Sequence, residues 1–169
     1  MAESTIVDRS MAFVRVDFAP SHRQPSLIRV ALATVLSVSG SLLADVLLVA
    51  IGTAVFSSTQ GYVHFQFHDY ARLTIVGVLI ACVAWPIVTR ITSSPRWLFF
   101  RLAILVTLVL FVPDLWLLVK HQPPQAVGVL MTMHLAIALV TYNALIRVAA
   151  VRPRRAASAR ADTQSIPLT

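Results

Sequence analysis

Apolar residues fall along this chain in four long blocks, 30–56, 71–91, 98–119 and 127–149, with polar and charged residues gathered between them. A bilayer core about 30 Å thick is crossed by a helix of about 20 predominantly apolar residues. Each block therefore predicts a transmembrane helix, and the short stretches between them predict an all-α, polytopic, four-helix antiparallel bundle. Pro86 and Pro113 fall near block ends, where a missing backbone donor is least disruptive. Residues 1–27 form a leader and 151–169 a basic, disordered tail.

Within each block the small and polar residues keep a helical spacing. Ala33, Ser37, Ser41 and Asp45 recur every fourth position; Thr74, Gly77, Ala81 and Ala84 follow in the second block, Ala103, Thr107 and Asp114 in the third, and His134, Ala138 and Thr141 in the fourth. Lipid supplies no hydrophobic drive for helices to associate, so close packing through small residues has to do it. These stripes are expected to face one another.

Composition sharpens the picture. Of 169 residues 57% are hydrophobic and only 12% charged, against about 25% charged in a soluble domain. The net charge of +7 is mostly a topology signal. Arg9, Arg15, Arg23 and Arg29 precede the first block, Arg90, Arg96 and Arg101 flank the turn between the second and third, and Arg147, Arg152, Arg154, Arg155 and Arg160 follow the fourth; only Arg72 and Lys120 lie on the other side. Basic residues are retained on the cytoplasmic side, which places both termini in the cytoplasm of a bacterial plasma-membrane protein. The bilayer is then the first partner, anionic lipid headgroups are attracted to the basic tail, and nucleic acid is not expected. A cleaved signal peptide is the other reading of the first block, with Arg29 before it and Ser41-Leu42-Leu43-Ala44 as a cleavage region. The apolar run continues well past Ala44 and the leader is long, so an uncleaved helix is favoured. In the leader, Phe13 to Phe18 alternates as a short strand or a membrane-lying segment would, but a mostly mobile leader is favoured because nothing else in the segment offers a core.

Candidate chemistry sits at membrane depth, where an ionisable side chain costs about 2.5 to 3.5 kcal/mol and is paired or lines a wet cavity. Asp45, Asp114 and His134 are such residues, all in the outer half of the bilayer, with Arg72 at the outer end of the second helix. Similar depth on neighbouring helices predicts an Asp45–His134 pair, and by the same reasoning Arg72 reaches Asp114. The cluster is either a register-fixing pair or a polar cavity open to the outside. His64 and His68 lie four apart, a spacing that suits a zinc or copper ion, within an aromatic belt of Tyr62, Phe65, Phe67 and Tyr70. The single cysteine, Cys82, excludes an intrachain disulfide and reads as a packing residue. No His-Glu-x-x-His, Gly-x-Ser-x-Gly or phosphate-binding glycine loop occurs, so neither enzyme activity nor a cofactor is expected.

Phe111-Val112-Pro113-Asp114-Leu115, followed by a short loop and Leu130-Met131-Thr132-Met133-His134, resembles a family of small four-helix membrane proteins of unknown function found in actinobacteria. The resemblance covers residues 73–149 and implies Asp114 and His134 as the family's polar positions; it implies no reaction. The expected role is a non-enzymatic accessory or scaffold subunit of a cell-envelope complex, a lipid-transport assembly being one candidate, in contact with other membrane subunits. The alternative is a small transporter or sensor built on the protonatable cluster.

Overall fold

A computed structural model of the chain describes residues 22–153, with Met11 as an isolated position. Four helices dominate it: α1 (Leu27–Val55), α2 (Phe67–Ile91), α3 (Pro95–Val119) and α4 (Pro124–Val148). Each is long and apolar enough to cross a membrane. Every helix begins three or four residues before its apolar block. The first turns hold polar residues or proline, Phe67-His68-Asp69 in α2 and Pro95-Arg96 in α3, which hydropathy discounts but which suit a helix start. Pro95 and Pro124 each open a helix, where the fixed φ is already helical and no intrahelical donor is lost.

The connections are short and specific. Two 3-10 turns, Ser57–Thr59 and Val63–Phe65, join α1 to α2 around Gly61, whose φ of 73° needs the left-handed region. After α3, His121 takes φ 57°. Its N–H bonds the Leu118 carbonyl and the Gln122 N–H reaches back to Leu117, the paired closure that ends a helix and reverses the chain into α4.

Helix α4 is the hub: its most extensive contacts are with α1, then with α3, while α2 rests chiefly on α1 and touches α3 over few residues. The α1 stripe faces inward as its spacing predicts, with Ala33, Ser37, Ser41 and Asp45 all fully buried. It lies so close to α4 that a Cβ on Gly40 would stand 2.9 Å from Val140 Cγ1, and one on Gly52 2.8 Å from Val129 Cγ2. The α2 stripe is different. Gly77 is exposed, and the buried face runs through Tyr70, Ala71, Thr74, Val78, Cys82, Trp85, Val88 and Thr89. Larger side chains fill the wider gap between α2 and α4, with Trp85 at the centre of a cluster that includes Val78, Cys82, Phe99 and Leu145. The Trp85 indole N–H donates to the Ala149 carbonyl at 2.9 Å, tying the last turn of α4 to α2. Elsewhere leucine, valine and isoleucine face outward along all four helices.

At this end of the bundle the residues just before α1 and just after α4 pack together. His22–Arg23 pairs antiparallel with Arg152–Pro153, and Gln24 docks on α2: its Nε2 donates to the Thr89 carbonyl at 2.8 Å while Thr89 Oγ1 donates to Gln24 Oε1 at 2.6 Å. The His22 ring meets the same carbonyl at 2.6 Å. Carbonyls in the last turn of a helix lack intrahelical partners, so these side chains cap α2. Residues 13–18 and the tail beyond 153 lie outside the described residues.

Candidate functional site

The end of the bundle opposite the His22–Arg23 strand gathers polar groups from all four helices. Asp45 is fully buried on the α1 stripe. Its Oδ2 accepts a 2.6 Å hydrogen bond from Thr74 Oγ1 on α2, and its Oδ1 has no hydrogen-bond partner among the described residues. Across α4, His134 Nδ1 approaches Asp114 Oδ2 to 3.0 Å. The contact is not aligned as a hydrogen bond, so both atoms stay buried and unsatisfied in that sense.

Helix direction explains why Asp114 and His134 meet. Side chains lean toward the amino terminus of their own helix. At about 1.5 Å per residue Asp114 lies about 8 Å from the carboxyl end of α3 and His134 about 15 Å from the amino end of α4. Asp114 therefore leans deeper and His134 leans outward, closing the difference in depth. The ring of Phe111, one turn before Asp114, stands edge-on to His134 with centroids 6.4 Å apart. His134 is also within electrostatic range of Asp45. The two pairs thus form one polar layer.

Above this layer lies the α1–α2 connection. Thr59 is fully buried, and its hydroxyl bonds the carbonyls of Gly52 and Phe56 at 3.0 and 2.7 Å, pinning the turn to the end of α1. That anchor holds Tyr62, whose ring stands edge-on to Phe65 and His64. The Tyr62 hydroxyl is buried without a partner among the described residues. Burial, and secondarily the Asp114 carboxylate, push its pKa above 10.0.

Some sequence expectations are revised here. Asp45 and His134 share the layer but do not pair: α4 sits between α1 and α3, and the His134 ring contacts the carboxylate on α3, leaving Thr74 to serve Asp45. Arg72 is exposed and has no ion-pair partner among the described residues. It lies beside the buried stripe of a helix that barely touches α3, so it does not join Asp114. His64 and His68 are both exposed, and His68 Nε2 lies 3.2 Å from Asp69 Oδ1. Among the described residues no three His, Cys, Asp or Glu side chains converge as a metal site would need. The aromatic-belt reading missed Tyr62 as a member of the polar layer, and nothing in the spacing of loop residues marks it.

The profile of one protein family matches residues 19–151, which span all four helices, the Gln24–Thr89 contact and the polar layer. The chain belongs to DUF6069, a family of unknown function. Neither a curated protein nor a solved structure matches it. The DUF6069 match extends well beyond the 73–149 region on which the resemblance to uncharacterised four-helix proteins rests. What the layer offers chemically is two carboxylates and an imidazole, with Asp45 Oδ1 left without a hydrogen-bond partner among the described residues.

Proposed function

We propose that this DUF6069 protein is a non-enzymatic, multi-pass protein of a bacterial plasma membrane, with both termini cytoplasmic, and that it acts as a small proton-responsive sensor or transporter. The observation that carries this reading is the polar layer of Asp45, Asp114 and His134, in which the fully buried Asp45 keeps Oδ1 without a hydrogen-bond partner among the described residues and His134 Nδ1 stands 3.0 Å from Asp114 Oδ2 without hydrogen-bond alignment. A purely structural layer would gain by satisfying such atoms, since each costs about 1 to 3 kcal/mol when left unpaired. Atoms held open in a polar layer are where a proton, with its attendant water, is received and passed on. Twelve of the fourteen basic residues on one side of the predicted membrane support the orientation, which puts the layer nearer the outside. The resemblance to actinobacterial proteins supports a bacterial source.

The test is a pH step applied to the protein in phosphatidylcholine vesicles, read by infrared difference spectroscopy of the carboxyl groups. Carboxyl protonation bands are expected, and Asp45→Asn and Asp114→Asn should each remove part of them. Spectra in which no carboxyl band responds to the pH step would overturn the proposal. Reporter fusions at Thr169 and in the 57–66 connection test the orientation, and an externally accessible carboxyl terminus would reverse it.

A second reading, an accessory or scaffold subunit of an envelope complex, draws on α3. That helix is held mainly by α4, and only 11% of its most apolar window is buried. Val112, Pro113, Leu115, Trp116 and Val119 line a shallow apolar groove on its free face. Purification in mild detergent with a stoichiometric membrane partner, lost on Trp116→Ala, would favour this reading.

A further inference from the structure

The end of the bundle that carries the termini of the described region is strongly and one-sidedly charged. Arg23, Arg90, Arg96, Arg147 and Arg152 are all exposed there, and Arg29 is half-buried in the first turn of α1. The carboxylates of the described residues are Asp45, Asp69 and Asp114, all toward the opposite end. Arg23, Arg29, Arg90, Arg96, Arg147 and Arg152 therefore have no carboxylate counter-charge among the described residues.

The patch has a rigid centre. Between α2 and α3 the chain turns in three residues, 92–94. Thr92 is fully buried and its hydroxyl accepts the Ser94 N–H at 3.0 Å; Thr89, one residue before Arg90, is fixed by Gln24. Pro95 is buried one residue before Arg96. Arg90 and Arg96, both exposed, thus stand on either side of a stiff corner. Trp97 adjoins them with the Arg101 guanidinium 3.8 Å above its ring, an amphipathic pair of the kind that settles at the level of lipid headgroups.

We infer that the α2–α3 corner, centred on Arg90 and Arg96, is a docking surface for anionic phospholipid headgroups of the leaflet that faces it. Guanidinium groups match phosphate oxygens in geometry and charge. A basic residue near an anionic membrane surface is attracted to it, so several acting together give a preference for anionic over zwitterionic lipid. The inference rests on the membrane reading above, and it does not depend on the proton-exchange reading.

The experiment compares thermal unfolding of the full-length protein in phosphatidylglycerol and in phosphatidylcholine vesicles. An anionic-lipid rise of roughly 2 to 4 °C is expected, falling with added salt. The variant Arg90→Gln/Arg96→Gln should lose most of the rise while melting normally in phosphatidylcholine, and Arg72→Gln, at the opposite end, should keep it. Equal melting in the two lipids overturns the proposal, as does a rise that the double variant retains. Inorganic phosphate added to the protein in neutral vesicles should leave melting unchanged; an equivalent rise there would make free phosphate, not lipid, the occupant. Extraction of the protein from vesicles by alkaline carbonate would count against the membrane reading itself, whereas a retained protein indifferent to lipid charge counts against this inference alone.

Discussion

Asp114 on α3 and His134 on α4 approach to 3.0 Å, a polar contact between neighbouring helices. Polar pairs inside membranes couple by about 0.6 kcal/mol on average and about 1.7 at most. Asp114→Asn and His134→Gln should each lower stability in detergent by an amount in that range. The double variant should cost less than the sum, the difference being the coupling. Additive losses, measured by thermal unfolding of all four proteins, would show that the two side chains act independently.

Asp45 depends on a different neighbour. Thr74 donates its only described hydrogen bond, so Thr74→Val, which keeps the shape and removes the hydroxyl, leaves a fully buried carboxyl group unserved. The expected cost is about 1 to 3 kcal/mol. Thr74→Ser should restore most of it, and failure of serine to do so would point to the methyl group rather than the hydroxyl as what matters.

Four helices, their order and the inward face of α1 were legible in the sequence because they rest on two strong regularities: apolar runs of spanning length, and small residues every fourth position at Ala33, Ser37, Ser41 and Asp45. The polar positions Asp45, Asp114 and His134 were legible for a related reason, since an ionisable group in such a run has few places to go. Which of them meet was not. Pairing depends on the rotation of α4 about its axis and on α4 occupying the centre, and neither leaves a trace in spacing. The same holds for α2, where Gly77 looks like a packing residue yet faces outward. The Gln24–Thr89 contact joins residues far apart in the chain through a polar segment without periodicity, so nothing local announced it.

The glycines divide the α1–α4 interface from the outer surface of α2. A Cβ on Gly52 would press on the branched end of Val129 at 2.8 Å, a short side chain with little room to swing, whereas one on Gly77 meets nothing within 4 Å. Alanine gains about 1 kcal/mol over glycine in a helix interior, and overpacking costs about 1 to 3 kcal/mol. Gly77→Ala should therefore raise stability and Gly52→Ala lower it, with Ser41→Leu more damaging still because its stripe faces α4 directly. Equal tolerance of Gly52→Ala and Gly77→Ala in thermal unfolding would mean that α1 and α4 lie farther apart than described.

At the other end, the reciprocal hydrogen bonds of Gln24 and Thr89 tie the chain before α1 to the last turn of α2. Gln24→Ala removes both, leaving His22 on the Thr89 carbonyl. A loss of about 1 kcal/mol is expected, concentrated locally. Amide hydrogen exchange should quicken in the last turn of α2 and leave the middle of the helix unchanged. Uniform quickening along α2 would instead mean that the contact supports the whole bundle.

Tyr62 gives the outer connection a pH signature whose sign follows from its surroundings. Burial first, and the Asp114 carboxylate second, raise the phenol pKa above 10.0 in the folded protein, because both disfavour the phenolate. In the unfolded chain the same phenol ionises near its ordinary value, about 10. Between those two values the unfolded state binds fewer protons than the folded one, so stability falls as pH rises. The contribution of Tyr62 is thus fully present below about pH 10 and is lost as pH climbs through the folded-state pKa. Tyr62→Phe should flatten that part of the stability profile without altering it near neutrality. Asp114→Asn should move the phenolate absorbance transition of Tyr62 toward lower pH, but only in part, since burial is the larger cause. A Tyr62 transition at the value of a free phenol would mean that the hydroxyl is open to solvent and that the 3-10 turns do not cover the polar layer.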